Sequence, residues 1–296
     1  MYIRTNIRKG ESALVKVNGI KKSFARNSVL KGVTFDIEEG SIYGLIGKNG
    51  AGKTTLMNIM AGLLKADGGA CSFGGVGKKV GYLPDLPAFY DYLTTDEYLD
   101  FLLVNKNPGR RNELLKQVGL SDKMKIKTLS RGMKQRLGIA GVLVNDPDVI
   151  LLDEPTSALD PSGRNDVKDI LFDLRSKGKT IMLSTHILAD MDSICDKAGF
   201  LSGGVIAKEV DVAATRNSAE EMIVTFASEP DLEKLYSYVQ KIFVIDPVTI
   251  RIVMDKEDKL VSQQHILQGL SSLGQEITFI STAVNSLDGI FREVCL

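Results

Sequence analysis

The sequence offers little beyond the makings of a packed globular core. Cysteine occurs three times, at Cys71, Cys195 and Cys295, far apart and odd in number. Such a set fits neither a disulfide framework nor a zinc-ligand spacing, and points to a reducing cytosol. Charge does not lean either way, with 37 Lys+Arg against 37 Asp+Glu. No bulk field therefore draws the chain to nucleic acid or to an anionic membrane surface. No run of about 18 apolar residues occurs, so nothing reads as a membrane span. The first residues (MYIRTNIRKGES) carry charge without an apolar stretch and do not read as a secretory signal. Histidine is scarce, and His265 stands alone as part of a solvated helix face rather than as a metal ligand. The rest is ordinary, at 44% hydrophobic and 25% charged. A chain of 296 residues has room for one large α/β domain and a smaller appendage.

One stretch organises the chain: Gly47-Lys48-Asn49-Gly50-Ala51-Gly52-Lys53-Thr54, followed by Thr55. Ser41 to Ile46 reads as a short buried strand before it, and Lys53 to Leu64 as an apolar helix after it. A strand running through a glycine-rich turn into a helix aims successive N–H groups at one point, at the positive end of the helix dipole. Gly50 and Gly52 let the backbone turn tightly and approach phosphate oxygens. Lys53 reaches the β- and γ-phosphates, and the Thr54 hydroxyl is suited to a magnesium ion. The chain is expected to bind a nucleoside triphosphate.

Around this loop the pattern is α/β. Ala13 to Val17 and Gly32 to Ile37 alternate like strands. Phe24, between them, suits either an adenine ring or a strand-end place in the core. Ala66 to Gly77 is glycine-rich and reads as turns, followed by a short strand, Val80 to Leu83. Two helical segments lie around TDEYLDFLLVN and GRRNELLKQVGL, and Ser130 is a natural N-cap for the next helix. Val149 to Leu152 is a buried parallel strand that delivers Asp153 and Glu154 at its C-terminal edge, where such sheets place ligands. Pro161 to Lys177 reads as an amphipathic helix and Thr180 to Thr185 as another buried strand, ending at His186. Alternating strands and helices of this kind predict a doubly wound parallel sheet. After about Asp211 the order becomes strand, helix, strand, strand, helix, strand, from Met222 to Ile280, with Val248 to Met254 the third strand and Asp258 to Leu273 the second helix. That order matches a split βαβ, ferredoxin-like arrangement. Asn285 to Val294 reads as a closing amphipathic helix.

Asp153 after four apolar residues is the second half of a phosphate-loop ATPase, a carboxylate held near the nucleotide's magnesium. Glu154 is placed to accept a proton from attacking water. Thr128-Leu129-Ser130-Arg131-Gly132-Met133 falls shortly before that strand. Here the chain resembles the ATP-binding subunits of ABC transporters, whose signature is usually written LSGGQ. It keeps Ser130 and Gly132 and departs at Arg131 and Met133, a variant similar to separate-polypeptide exporters. The other family motifs follow in order: the phosphate loop, Val149 to Glu154, the loop Ser157-Ala158-Leu159-Asp160, the switch residue His186, and Phe24 where the family stacks an aromatic on adenine. The resemblance covers roughly Leu14 to Asp211.

The resemblance implies a phosphate-loop ATPase domain over residues 1–212, with a RecA-like parallel core, an antiparallel β part and a helical insert at about 88–145, and an accessory α+β domain over 213–296. It further implies ATP and Mg2+ as ligands. Glu154, His186 and Lys53 would be catalytic, and Thr54 and Asp153 would hold the metal. A head-to-tail homodimer, or a pseudo-symmetric heterodimer, would sandwich ATP, with Ser130 and Gly132 of one subunit reaching the γ-phosphate bound by the other. The chain would sit at the cytoplasmic face of a membrane, driving a separate permease subunit, with export as the direction. The family usually has glutamine where Asp85 follows Leu83-Pro84. Aspartate is shorter, charged and acceptor-only when ionised, so Asp85 is either a metal contact or a solvated loop residue. The alternative reading is a soluble ATPase of the same type acting on a non-membrane partner. The single motif set, and the lack of cysteine clusters and basic runs, speak against it.

Overall fold

The computed structural model describes residues 13–75, 77–103, 106–157, 159–216, 221–239, 241–253, 259–283 and 287–295. The chain divides into two compact units, one ending at Glu209 and one starting at Val210. In the first, the strands are β1 (Ala13–Phe24), β2 (Asn27–Glu38), β3 (Ile42–Ile46), β4 (Gly68–Phe73), β5 (Val80–Leu83), β6 (Val149–Asp153), β7 (Thr180–Thr185), β8 (Lys197–Ser202) and β9 (Val205–Asp211). Its helices are α1 (Lys53–Met60), α2 (Thr95–Leu102), α3 (Pro108–Gln117), α4 (Arg131–Val142), α5 (Pro161–Ser176) and α6 (Leu188–Ile194).

A six-stranded sheet in the order β5-β6-β7-β3-β8-β9 forms the centre. The pairs β5–β6, β6–β7, β7–β3 and β3–β8 are parallel. Every residue of β3, β6 and β7 is buried, as expected for strands covered by helices on both faces. Each large aliphatic side chain so buried contributes about 1.5–3 kcal/mol. The core therefore fixes the C-terminal ends of β3, β6 and β7, and the polar residues that follow them are carried on a rigid edge.

A second, antiparallel sheet has the order β2-β1-β4. Three expectations change here. β1 runs on to Phe24 rather than stopping near Val17, because Ile20 to Phe24 keep pairing with β2 through bulges. Ala66 to Gly77 is not all turn: Gly68–Phe73 forms β4, with Val17 opposite Cys71 and Val15 opposite Phe73. The glycines hide that strand, whose pairing is supplied by β1 from far away in sequence. Helix α1 ends at Met60, short of Leu64, since Gly62 turns left-handed (φ 74°) just past it. Val104 and Asn105, at the end of the first helical segment of the insert, lie outside the described residues.

The second unit contains α7 (Val212–Arg216), β10 (Glu221–Phe226), α8 (Leu232–Tyr236), β11 (Ile242–Asp246), β12 (Thr249–Val253), α9 (Lys259–Leu273), β13 (Ile277–Ala283) and α10 (Leu287–Cys295). Its four strands lie in the order β11-β12-β10-β13 and every neighbouring pair is antiparallel. Met222, Val224, Phe226, Ile250 and Ile252 pack with Leu235, Ile266 and Leu270 of α8 and α9, so the helices cover one sheet face. His265 is exposed on α9. Met254, Asp258 and Asn285, which the sequence assigns to a strand and two helices, lie outside the described residues.

Candidate active site

The loop from Gly47 to Gly52 joins the end of β3 to the start of α1. Gly50 (φ 80°) and Gly52 (φ 106°) are both left-handed, a conformation a side chain resists. A Cβ on Gly52 would meet Leu30 Cδ2 at 2.8 Å and Val29 Cγ1 at 3.0 Å. Gly52 is thus required by packing against β2 as well as by the turn. Lys53 is buried and folds back over the loop, donating to Gly47 O at 2.8 Å and Lys48 O at 3.3 Å. Ala51 N–H donates to Lys48 O at 3.1 Å. The N–H groups of Asn49, Gly50, Gly52, Lys53 and Thr54 have no acceptor among the described residues. Free amides around a left-handed turn at a helix N-terminus, with a buried ammonium beside them, fit an anionic phosphate chain.

Facing this loop is the C-terminal edge of β6. Asp153 is fully buried, and its carboxylate takes a hydroxyl on each oxygen. Thr54 Oγ1 donates to Oδ2 at 2.6 Å and Ser184 Oγ donates to Oδ1 at 2.5 Å. The β6–β7 register sets Asp153 directly opposite Ser184, so sheet pairing itself makes the second contact. Oxygens of a hydroxyl and a carboxylate together form a hard donor set suited to Mg2+.

Glu154, the next residue, leaves the strand with φ 50°, a backbone state uncommon outside glycine and asparagine. The strain is held by neighbours. Glu154 N–H donates to Ser184 O and Ser184 Oγ, each at 3.1 Å, and Ser157 N–H and Oγ donate to Glu154 O. Strain of this kind gathers at functional sites. It turns the carboxylate into the cluster: Oε1 lies 3.7 Å from Lys53 Nζ, and Oε2 lies 2.9 Å from His186 Nδ1. The phosphate loop, the β6 edge and the β7 edge are thereby linked through one side chain. Ser184 is the member the sequence reading missed. Its only signal is a hydroxyl inside a fully buried strand, which has to find a partner.

The other expected residues lie on separate elements. Ser130 caps α4 by accepting from Met133 N–H at 3.2 Å, and Gly132 lies in the helix's first turn. Among the described residues Ser130 bonds only its own helix, to Met133 and Lys134. Phe24 ends β1 with 47% of its surface exposed, and the Lys22 ammonium stands 5.5 Å from its ring. It is therefore not a core aromatic. Asp160 caps α5, accepting from Gly163 N–H at 3.1 Å, while Ala158 lies outside the described residues. Asp85 is exposed in the loop after β5. Burial, with Asp153 and Asp85 adding to it, pushes the Tyr82 phenol up to about 12. Tyr82 thus feels both carboxylates. No group of three or more His, Cys, Asp or Glu side chains suited to a metal occurs among the described residues.

Comparison with known proteins bears on the family. A family model described as ABC transporter matches residues 30–157. The uncharacterized ABC transporter ATP-binding protein YxlF of Bacillus subtilis is 31% identical over 296 residues, covering 95% of this chain and 99% of that protein. The lantibiotic transport ATP-binding protein SrtF of Streptococcus pyogenes is 36% identical over 217 residues, covering 70% and 95%. Among solved structures, a dimeric ATP-binding cassette in a post-hydrolysis state with ADP and Pi superposes with a TM-score of 0.60 at 26% identity, covering 67% of this chain and 98% of that one. The chain belongs to the ATP-binding subunits of ABC transporters and is an ATP hydrolase.

Proposed function

We propose that the chain hydrolyses ATP between two copies packed head to tail, and that the cycle drives a separate transmembrane permease, in the direction of export. The observation that carries the reading is the double contact of Glu154 with Lys53 and His186. A carboxylate, a buried ammonium and an imidazole in one cluster support the roles of base, phosphate-binding cation and orienting group. The transport role is supported by the likeness to SrtF, whose name describes lantibiotic transport, and the direction by the signature variant at Arg131 and Met133. No helix among the described residues is long and apolar enough to cross a membrane, which suits a permease carried by another chain.

In this reading the amides of Asn49 to Thr54 and the Lys53 ammonium hold the β- and γ-phosphates of ATP. Phe24 stacks on the adenine from the end of β1. Thr54 and Asp153, with Asp85 a further contact, would hold Mg2+, which when bound would screen phosphate charge. Ser184 keeps Asp153 in place. Glu154 accepts the proton of the attacking water, and His186 orients the carboxylate and the water in line with the phosphorus. The N-terminus of α4 brings Ser130 and Gly132 to the γ-phosphate held by the other copy, adding N–H donors where negative charge builds up. Residues 1–212 supply this machinery and residues 213–296 an accessory domain.

The permease is tested by pulling down tagged Glu154→Gln protein from detergent-solubilised native membranes with ATP and magnesium, read by mass spectrometry. A stoichiometric polytopic protein is expected. Recovery of soluble proteins alone would contradict the transport reading and favour a soluble mechanochemical ATPase.

A further inference from the structure

Strand β11 ends the sheet of the C-terminal unit, with β12 on one side and, among the described residues, no strand on the other. Val253 N–H donates to Lys241 O at 3.0 Å, and Phe243 stands opposite Arg251. Alternation along an antiparallel pair then turns the backbone groups of Lys241 and Phe243 toward β12, and those of Ile242 and Val244 outward. The outward edge is apolar. Phe243, Val244 and Ile245 are 48%, 58% and 55% exposed, whereas edge strands ordinarily carry charge or proline against foreign pairing. A register shift between Val244 and Asp246 bulges the strand only after Val244, which leaves 242–244 straight. The Arg251 guanidinium lies 4.9 Å over the Phe243 ring and holds that ring on the sheet face away from α8 and α9.

We propose that β11 pairs antiparallel with β11 of a second copy, about a two-fold axis at Phe243, joining two sheets into one. Ile242 of each copy then exchanges both N–H···O bonds with Val244 of the other, using the groups that point outward. The two Phe243 side chains meet on the open face, and each Ile242 meets Val244 of the other copy on the helix-covered face. Charge selects both the partner and the direction. Lys241 and Asp246 bracket the strand with opposite signs, so antiparallel pairing brings each Lys241 beside the Asp246 of the other copy. Parallel pairing would set like against like. The segment is its own complement, as a two-fold contact requires. This contact needs no nucleotide and stands apart from ATP-dependent closure. By keeping two copies together between cycles it would raise their effective concentration for that closure.

The test is sedimentation velocity of the full chain at micromolar concentration without nucleotide. Wild type is expected to sediment as a dimer and Val244→Lys as a monomer, with unchanged far-UV circular dichroism. Register is read by oxidation. Residues facing each other in a non-hydrogen-bonded pair have Cα atoms about 4.5 Å apart, within disulfide reach. Phe243→Cys should form a covalent dimer above the wild-type background, and Ile245→Cys should not. A monomeric wild type, a dimer that survives Val244→Lys, or equal cross-linking at both cysteines would overturn the proposal. A failure of ATP-driven dimerisation would leave it standing, since no nucleotide is present.

Discussion

The Lys53 ammonium lies 3.7 Å from Glu154 Oε1, with the two side chains 7% and 12% exposed. The ion pair spans the phosphate loop and the end of β6. Removing one charge of a nearly buried pair leaves the other uncompensated, a loss of about 3–5 kcal/mol in comparable settings. Lys53→Ala is therefore expected to lose ATP binding, read by fluorescent-nucleotide titration, and also to unfold at lower urea. ATP affinity within twofold of wild type would contradict the role given to Lys53.

Ser184 ties Asp153 to the backbone of Glu154, donating to Asp153 Oδ1 and accepting from Glu154 N–H. In Ser184→Ala a buried carboxylate oxygen loses its donor, a cost of about 1–3 kcal/mol. The variant should lose stability by that amount in urea titration and need more magnesium for half-maximal ATPase. A variant with wild-type stability and magnesium dependence would reduce Ser184 to a passive strand residue.

Phe24 is exposed at the end of its strand, so its truncation should leave the fold intact. Stacking on a base is worth about 1–3 kcal/mol. Phe24→Ala is thus expected to raise the KM for ATP about tenfold with kcat little changed, and Phe24→Tyr should restore it. No change in KM would remove Phe24 from the adenine site.

Behind burial, Asp153 and Asp85 both raise the Tyr82 phenol, and in the proposed reading Asp85 is a further contact for the ion. Asp85→Ala should shift the magnesium dependence of turnover toward higher concentration. Unchanged magnesium dependence and unchanged rate would make Asp85 a solvated loop residue.

The sequence made the site more legible than parts of the fold around it. The phosphate loop, Asp153, Glu154 and His186 each follow a run of apolar residues that reads as a buried strand, and β3, β6 and β7 are such strands. Ser184 was not legible because its role comes from register: it stands opposite Asp153 only once β7 pairs with β6. Strand β4 was hidden for a related reason. Gly68 and Gly69 weaken any local strand signal, and β1 supplies the pairing from some fifty residues upstream. The left-handed backbone of Glu154 (φ 50°) has no sequence signature, since the residue is not glycine.

The most direct test of the catalytic account is ATP turnover and association state of Glu154→Gln. The amide keeps the shape of the side chain but cannot take a proton from water. Turnover should fall at least about a hundredfold, the usual range for loss of a general base. ATP binding should persist, and with Val244→Lys added to remove the β11 contact, light scattering with saturating ATP and magnesium should show a dimer that dissociates more slowly than that of Val244→Lys alone. Near-normal turnover would contradict the assignment of Glu154 as the base, and a mutant that stays monomeric with ATP bound would contradict the sandwich.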